Sequence, residues 1–317
     1  MRQKNFKTLD EQVEILRFKG MDINDEAYTK KVLLRENYFF LNGYRHPFME
    51  EGDKKFKKGT TFEEMYSLFL FDRSFRNVLF KYILVIENNL KSIISYQLSK
   101  KYGYKESEYL KTKNFTTDQS KQSQLNDLIR KMKRQIRVNG SQHSATLHYV
   151  SNYGYIPLWI LVKVLSFGIV SELYSVLKDN DKKEIANIYE IDADMLTIYL
   201  PILANYRNLC AHEDILYENK TQKVINDTIY HQLLHIPKEF DEYAKGKNDV
   251  FALIIIMKQM LRQEDFKNMT VELDNVIETL NYNLKTIEIE KILDRMGFPL
   301  NWKDIANIER SKDVDET

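Results

Sequence analysis

The chain has 317 residues, 43% of them hydrophobic, and a formal net charge of +1. This length allows a substantial core in one or two domains, and the balanced charge excludes nucleic-acid binding through overall charge, which leaves only local basic patches. With only 10 Gly and 5 Pro, the composition excludes a turn-rich β-sandwich, and the single Cys excludes an internal disulfide framework and a thiolate metal cluster.

The N-terminus has no apolar segment typical of a secretory signal, and the single Cys fits a reducing compartment, so we expect a cytoplasmic protein. No run reaches the roughly 18 apolar residues of a membrane span. The longest apolar run, VFALIIIM from Val250 to Met257, predicts a buried helix, and no membrane contact is expected. Apolar residues recur at helical spacing along the chain, so the predicted fold class is all-α.

Short helices are predicted at the start of the chain. Thr8 and Glu11 form a capping box, and Gly20 can end the helix that they begin. A second helix is predicted from about residue 25 to residue 36. Residues 41–61 are rich in Gly, Pro and charge, which predicts a loop that can include a small hairpin.

A long helical region follows the loop. Thr61 and Glu64 form a second capping box, and dense apolar positions over residues 62–101 predict a central helix or a close helix pair. The next helix, within residues 120–137, is amphipathic, with one apolar face and one mostly basic face. Its apolar positions are Leu125, Leu128, Ile129, Met132 and Ile136.

Proline and glycine mark the later predicted boundaries. Pro157 suits a first helical turn, and Gly168 predicts a break between two helices. Residues 192–212 predict one helix with a kink at Pro201, and the chain is predicted to stay helical after Lys220.

Common metal and phosphate motifs are missing from the sequence, which has no P-loop, no G-x-G-x-x-G and no H-E-x-x-H. His231 and His235 are spaced i,i+4, but their apolar setting favours packing over metal binding, so neither a metal nor another cofactor is predicted. Cys210 lies between Leu209 and Ala211 on an apolar helix, which favours a small packed side chain over a nucleophile.

Arg207 and His212 together offer chemistry that needs no metal. RNA carries its own nucleophile, the 2′-OH, beside the scissile phosphate, and a histidine can take that proton or protonate the leaving oxygen. An arginine can stabilise the negative charge that develops on the phosphoryl oxygens. Asn208 lies four residues before His212 on the same helix face and can orient it.

Helix geometry separates the two side chains. A spacing of five residues puts Arg207 and His212 roughly 140° apart around a straight helix. Either the helix loosens at Ala211, or the working site combines residues from two copies of the chain in a symmetric dimer. Spacing alone favours a surface arginine and a packed histidine, since a similar pattern recurs from Arg137 to His143 in a predicted loop.

The context of the motif changes that balance. YRNLCAH (Tyr206 to His212) resembles the R-N-x-x-x-H signature of the HEPN superfamily. Other blocks resemble the Abi-like abortive-infection proteins, most closely the AbiD/AbiF group, over about residues 6–270. These blocks are Phe56–Arg76, Glu87–Ser99, Pro157–Gly168 and Lys247–Leu261.

The resemblance implies a HEPN-type helical bundle with additional N- and C-terminal helices. The implied segments are residues 1–60 (N-terminal helices and basic loop), 61–220 (HEPN core) and 221–317 (C-terminal helical extension with a disordered acidic tail). The implied activity is metal-independent RNA cleavage that arrests the host during phage infection, by a homodimer with the motif at its interface. A small structured antitoxin RNA is an implied partner of some members.

The resemblance also implies roles for individual residues. Arg207, Asn208 and His212 match the motif and take its catalytic roles. Asp72 or Glu87, from the long central helix, is a candidate for orienting Arg207, with a surface or capping role as the alternative for either. Asp214 stands where HEPN toxins controlled by a nucleotidyltransferase carry Tyr, so that control is not expected here.

Two basic clusters are candidate RNA-binding sites, with a solvated charged surface as the alternative. They comprise Lys54, Lys55, Lys57 and Lys58 in the loop, and Arg130, Lys133, Arg134 and Arg137 on the amphipathic helix. Phe56, Tyr44 or Phe48 could stack on unpaired bases. Two other hypotheses stay open: a non-catalytic RNA-binding regulatory protein, and a helical packing module in which the motif is structural.

Overall fold

The computed structural model describes residues 5–52, 54–139 and 142–309. Within those ranges the chain forms fifteen α-helices, a few short 3₁₀ turns and one two-stranded antiparallel sheet, which confirms the all-α class. The helices are Leu9–Phe18 (α1), Glu26–Glu36 (α2), Tyr38–Asn42 (α3), Phe62–Tyr102 (α4), Glu106–Tyr109 (α5), Gln122–Asn139 (α6), Ser144–Tyr153 (α7), Leu158–Val164 (α8), Phe167–Ser175 (α9), Asp179–Ala186 (α10), Ala193–Ala211 (α11), Ile229–Leu233 (α12), Val250–Met260 (α13), Gln263–Asn283 (α14) and Ile289–Arg295 (α15). The strands are Lys238–Glu239 (β1) and Glu242–Tyr243 (β2).

The predicted N-terminal elements are present. Thr8 and Glu11 form the capping box of α1, and Gly20, with φ +88°, follows its last turn. In the loop before α4, the predicted hairpin is reduced to one isolated antiparallel bridge between Met49 and Phe56.

Helix α4 is a single helix of 41 residues rather than a helix pair. It contains no Gly or Pro, begins at the Thr61 cap and ends where Gly103 adopts φ +89°. Helices α14, α8 and α11 pack along it, so α4 is the central element of the fold. Side chains at both ends of the described chain, from Val13 to Ile305, belong to one hydrophobic cluster around these helices.

The helix predicted over residues 192–212 is present as α11, which includes Pro201, and the kink predicted there stays a prediction. Two predicted features differ in the structure. The break predicted at Gly168 occurs earlier, because Ser166 caps α9 and Gly168 lies inside it. The prediction of continuous helix after Lys220 is wrong, since residues 220–228 are irregular and β1 and β2 follow. Positive φ values at Phe240 and Asp241 form the turn between the two strands and are incompatible with a helix.

Helix α13 confirms the buried helix predicted for the longest apolar run, since almost every residue in it is buried. Within the described ranges no helix is long and apolar enough to cross a membrane. The division into segments 1–60, 61–220 and 221–317 stays a prediction, and residues 310–317 of the predicted acidic tail lie outside the described residues.

Candidate active site at the end of helix α11

Helix α11 ends in a tight turn directly at the motif. The His212 amide still donates to the Asn208 carbonyl at 2.9 Å, as in a helix, and Glu213 then adopts φ +57°. The Asp214 amide donates back to the Leu209 carbonyl at 3.2 Å, so this carbonyl in the last helical turn has a hydrogen-bond partner. The chain therefore reverses immediately after His212, which is the C-cap residue of α11.

Asp72 of α4 holds the segment that leaves this turn. Its carboxylate accepts hydrogen bonds from the Leu216 amide at 3.0 Å, the Tyr217 amide at 2.9 Å and the Tyr44 hydroxyl at 2.8 Å. The side chain is fully buried. Because both oxygens only accept, the arrangement is that of an ionised carboxylate. Asp72 thus fixes the backbone after His212.

Arg76 supplies the counter-charge one helical turn along α4. Its guanidinium forms an ion pair with Asp72 and is only 1% exposed. The same group donates to the Asp214 carbonyl at 3.1 Å. A buried carboxylate and a buried guanidinium on α4 therefore hold the segment from Asp214 to Tyr217, directly after the turn that carries His212.

Arg207 lies against a different part of α4. Its Nε is 3.4 Å from Oε2 of Glu87, and its guanidinium lies 5.7 Å from the centre of the Phe80 ring. Glu87 is buried and also pairs with Lys91 at 2.7 Å. Of the two carboxylates considered for orienting Arg207, Glu87 contacts it. The terminal amino groups of Arg207 have no partner among the described residues, and its side chain is 30% exposed.

His212 faces a separate cleft. The cleft has a volume of about 870 Å³ and lies between the α2–α3 region and the end of α11. His212 is exposed, and its ring makes no hydrogen bond or ion pair within the described part of the chain. The opposite wall carries Arg45, which donates to the Asn42 carbonyl at 2.7 Å, and the exposed Phe39 and Phe40.

Arg73 borders this cleft and was not among the residues predicted for the site. It pairs with Glu36 at 2.7 Å and with Glu213 at 3.4 Å, so the residue after His212 is tied to α4 as well. The available signal in the sequence was the pair Arg73 and Arg76 within the largely apolar stretch Leu68–Leu79. Nothing in that spacing indicates which loop they contact.

Asn208 is exposed on the last turn of α11. Its backbone carbonyl contacts His212, but its side-chain amide does not. The divergence expected from the five-residue spacing is present: Arg207 contacts Glu87 and Phe80, whereas His212 lines the cleft beside α3. One chain therefore presents the two groups toward different surroundings.

Cys210 packs inside the structure, as its apolar neighbours predicted. The thiol is buried, and this burial raises its pKa to about 12. Almost none of it is a thiolate at neutral pH, so it is a poor nucleophile.

The loop cluster of lysines differs from its prediction in one respect. Phe56, Tyr44 and Phe48 are all buried in the core, so the prediction that they stack on bases is wrong. Lys57 is half-buried, and burial together with nearby Lys291 lowers its pKa. Lys54, Lys55 and Lys58 are exposed.

The α6 cluster has the predicted amphipathic form, with Leu125, Leu128, Ile129 and Met132 buried. On its other face Arg130 pairs with Asp127 and Lys131 pairs with Glu172 at 2.8 Å. Three exposed members have no acidic partner among the described residues: Lys133, Arg134 and Arg137.

His231 is a buried packing histidine. Its Nε2 is hydrogen-bonded to the Gly246 carbonyl at 2.9 Å, and its Nδ1 accepts from the Thr228 amide at 3.1 Å. Burial lowers its pKa, which keeps the ring neutral. In the described ranges no three His, Cys, Asp or Glu side chains are grouped as metal ligands.

These features define an all-α protein with a polar, ion-paired site at the end of one core helix. Residues 31–218 match the family model of the Abi-like proteins. The match covers more than half of the chain, so the protein belongs to this family, which associates it with abortive infection. No curated protein and no solved structure matches the chain.

The matched range includes α4, the cleft and the complete Arg207–His212 motif. It is narrower than the resemblance over residues 6–270, since α1, α12 and α13 lie outside it.

Proposed function

We propose that this Abi-like protein is a metal-independent endoribonuclease of the HEPN superfamily, which acts in the cytoplasm during abortive infection. The observation that carries the proposal is that Arg207 and His212 are both held in place by contacts with α4 and remain accessible to a ligand. Glu87 braces Arg207 while leaving its amino groups open, and the turn that presents His212 is fixed by buried Asp72 and Arg76. Groups held in place before the substrate arrives are what charge-stabilising catalysis requires.

The chemistry follows from the two side chains. The 2′-OH attacks the adjacent phosphorus as His212 removes its proton, and the P–O5′ bond breaks as that oxygen gains a proton. The products are a 2′,3′-cyclic phosphate and a 5′-OH, and no water molecule is consumed. Arg207 stabilises the charge on the phosphoryl oxygens, and the exposed amide of Asn208 can hydrogen-bond the same phosphate.

Divergence of Arg207 and His212 supports a homodimer as the active form. Within one chain the two groups meet different surroundings, whereas a two-fold axis near the end of α11 brings the Arg207 of one copy toward the His212 of the other. The exposed surface of the last α11 turn, at Asn208 and Ala211, leaves room for such a contact.

Control by a small structured RNA is part of the proposal. The supporting observation is the exposed row of Lys133, Arg134 and Arg137 on α6, which can follow a phosphate backbone. Deep sequencing of the RNA that copurifies with the protein tests it. One discrete species supports a dedicated RNA partner, and a random population contradicts it.

The enzymatic proposal is tested with purified protein and a labelled single-stranded RNA in EDTA. We expect cleavage with 2′,3′-cyclic phosphate ends. His212→Ala should lower the rate at least about a hundredfold, while His235→Ala, which changes an exposed histidine outside the motif, should not. Equal cleavage by wild type and His212→Ala would reject the assignment of the chemistry to His212. No cleavage by wild type would favour the non-catalytic RNA-binding role.

A further inference from the structure

Six rings form a continuous cluster on a surface that the proposed catalysis does not use. The cluster, here called the aromatic platform, is contributed by α7, α8 and the loops after α4 and α7. Its members are Tyr104, His148, Tyr149, Tyr153, Tyr155 and Trp159. Neighbouring ring centres are between 5.4 Å (Tyr149 to Tyr153) and 6.3 Å (Tyr153 to Tyr155) apart.

The platform is exposed although it is apolar. Tyr153 is 57% exposed, Trp159 is 43% exposed and Tyr104 is 42% exposed. Isolated exposed rings are common on protein surfaces, but a contiguous set is typical of a binding surface. A core role therefore does not account for these rings.

The platform is also held rigidly from below. The Tyr109 hydroxyl, which is buried, donates to the Ile156 carbonyl at 2.9 Å, and the Ile156 amide donates to the Glu106 carboxylate. Both contacts fix the backbone next to Tyr155. A surface that is ordered before its ligand arrives loses little entropy on binding.

Cationic side chains surround the rings. The Lys105 ammonium lies 5.3 Å from the centre of the Tyr155 ring. A cleft of about 500 Å³ separates the platform at Gly154 from α6, and Lys111 and Lys133 line it. None of these three lysines forms an ion pair with a carboxylate in the described part of the chain, whereas Glu106, the acidic residue in the cleft, is engaged with the Ile156 amide.

We propose that the aromatic platform binds unpaired nucleotides of RNA, with bases stacked on Tyr153 and Trp159 and the backbone following Lys111 and Lys133. Aromatic faces beside unpaired cations match the two parts of a nucleotide, the base and the phosphate. A nucleotide supplies both a base for the rings and a phosphate for the three lysines, whereas an apolar protein surface would leave the lysines without a counter-charge. This inference rests on the proposed function only in taking RNA as the ligand. The platform rings take the stacking role that the sequence suggested for Tyr44, Phe48 and Phe56, which are buried.

Binding can be measured with a probe that cannot be cleaved. A 2′-O-methyl RNA 12-mer without secondary structure lacks the 2′-OH nucleophile, so its affinity is independent of catalysis. In fluorescence anisotropy, Tyr153→Ala should weaken binding of this oligonucleotide about tenfold. Tyr282→Ala is the matched control, because Tyr282 is 88% exposed on α14 outside the platform, and its affinity should equal that of wild type.

Tryptophan emission gives a direct second readout. The chain has 2 Trp, and Trp302 is buried in the core, so quenching on addition of the oligonucleotide reports on Trp159. We expect quenching in wild type and its loss in Trp159→Phe. Equal affinity of Tyr153→Ala and wild type, or no change of Trp159 emission at saturation, would overturn the site.

Two further outcomes separate this inference from its alternatives. If sedimentation shows that Tyr153→Ala dissociates a dimer while oligonucleotide affinity is unchanged, the platform is a protein interface and the inference is wrong. If wild type cleaves no RNA but the platform variants lose oligonucleotide binding, the inference stands and the nuclease proposal fails. A hairpin of equal length should bind more weakly than the single strand, since its bases are already stacked.

Discussion

The end of α11 and the aromatic platform both carry cationic side chains, but they hold them differently. Near the motif, Arg73, Arg76 and Arg207 each contact a carboxylate. Around the platform, the ammonium groups of Lys105, Lys111 and Lys133 form no ion pair with a carboxylate among the described residues. Paired charges are fixed in position, which suits chemistry at one phosphate, whereas unpaired lysines can adjust to a varied strand.

The largest expected effect tests whether the α11 end is half of a site. Arg207→Ala and His212→Ala should each be inactive alone. When the two variants are mixed and their subunits exchange, half of the dimers contain one chain of each variant. If the site is shared between subunits, each mixed dimer has one intact Arg/His pair out of two, so about a quarter of wild-type cleavage should return. A mixture that stays as inactive as its parts places both groups in one chain.

Next in size is the effect of the buried ion pair that anchors the motif. Asp72→Asn leaves Arg76 charged and buried without its partner, which should lower the free energy of unfolding by about 3–5 kcal/mol. Glu36→Gln is the matched control, because it removes the nearer of the two carboxylates that pair with Arg73, the neighbouring arginine on α4, whose side chain is 30% exposed.

Glu36→Gln should lower the free energy of unfolding by less than about 1 kcal/mol, because the ion pair that it breaks is partly exposed. Urea unfolding measures both values. Equal losses for Asp72→Asn and Glu36→Gln would contradict the distinction between a buried anchor and a partly exposed pair.

The sequence predicts the individual helices well, but it does not predict the contacts between distant helices that build the site. Caps at Thr8 and Thr61 and the apolar face of α6 depend on neighbours in sequence, so the helices they define were predicted correctly. The position of Arg207 against Glu87 and of Asp72 against Leu216 depends on packing between elements more than a hundred residues apart, which periodicity does not contain.

The platform shows the same limit. Tyr104, Tyr153 and Trp159 are unremarkable tyrosines and a tryptophan in a chain with 20 Tyr, and only the fold brings them together. Conversely, the lysines that flank Phe56 suggest an exposed side chain, yet Phe56 pairs with Met49 in an isolated β-bridge and is buried in the core. Flanking charge predicts exposure of a segment, and it does not predict the direction of one side chain.

A moderate effect is expected at the brace on Arg207. Glu87→Gln removes the charge that positions the guanidinium, so kcat for RNA cleavage should fall about tenfold while KM stays unchanged. Lys91→Met is the control, since it removes the other partner of Glu87 and leaves the contact with Arg207. A similar loss in both variants, or a rise in KM alone, would indicate a structural or binding role for Glu87.

A smaller effect separates paired from unpaired charges on α6. Lys133→Ala should reduce the slope of log affinity against log salt for a single-stranded oligonucleotide by about 0.7. Lys131→Ala should change it less, because Lys131 already pairs with Glu172 at 2.8 Å. Equal slopes for the two variants would remove the basis for treating unpaired lysines as the binding set.

The smallest effect is expected at Cys210, inside the motif but outside its chemistry. Burial raises the pKa of its thiol to about 12, so roughly one molecule in 10⁵ carries a thiolate at neutral pH. Iodoacetamide should therefore label Cys210 only after denaturation, as mass spectrometry can show, and Cys210→Ala should retain wild-type cleavage. Rapid labelling of the folded protein with parallel loss of cleavage would mean that the thiol is accessible at the site, and the assignment of the motif's chemistry to Arg207 and His212 would have to include it.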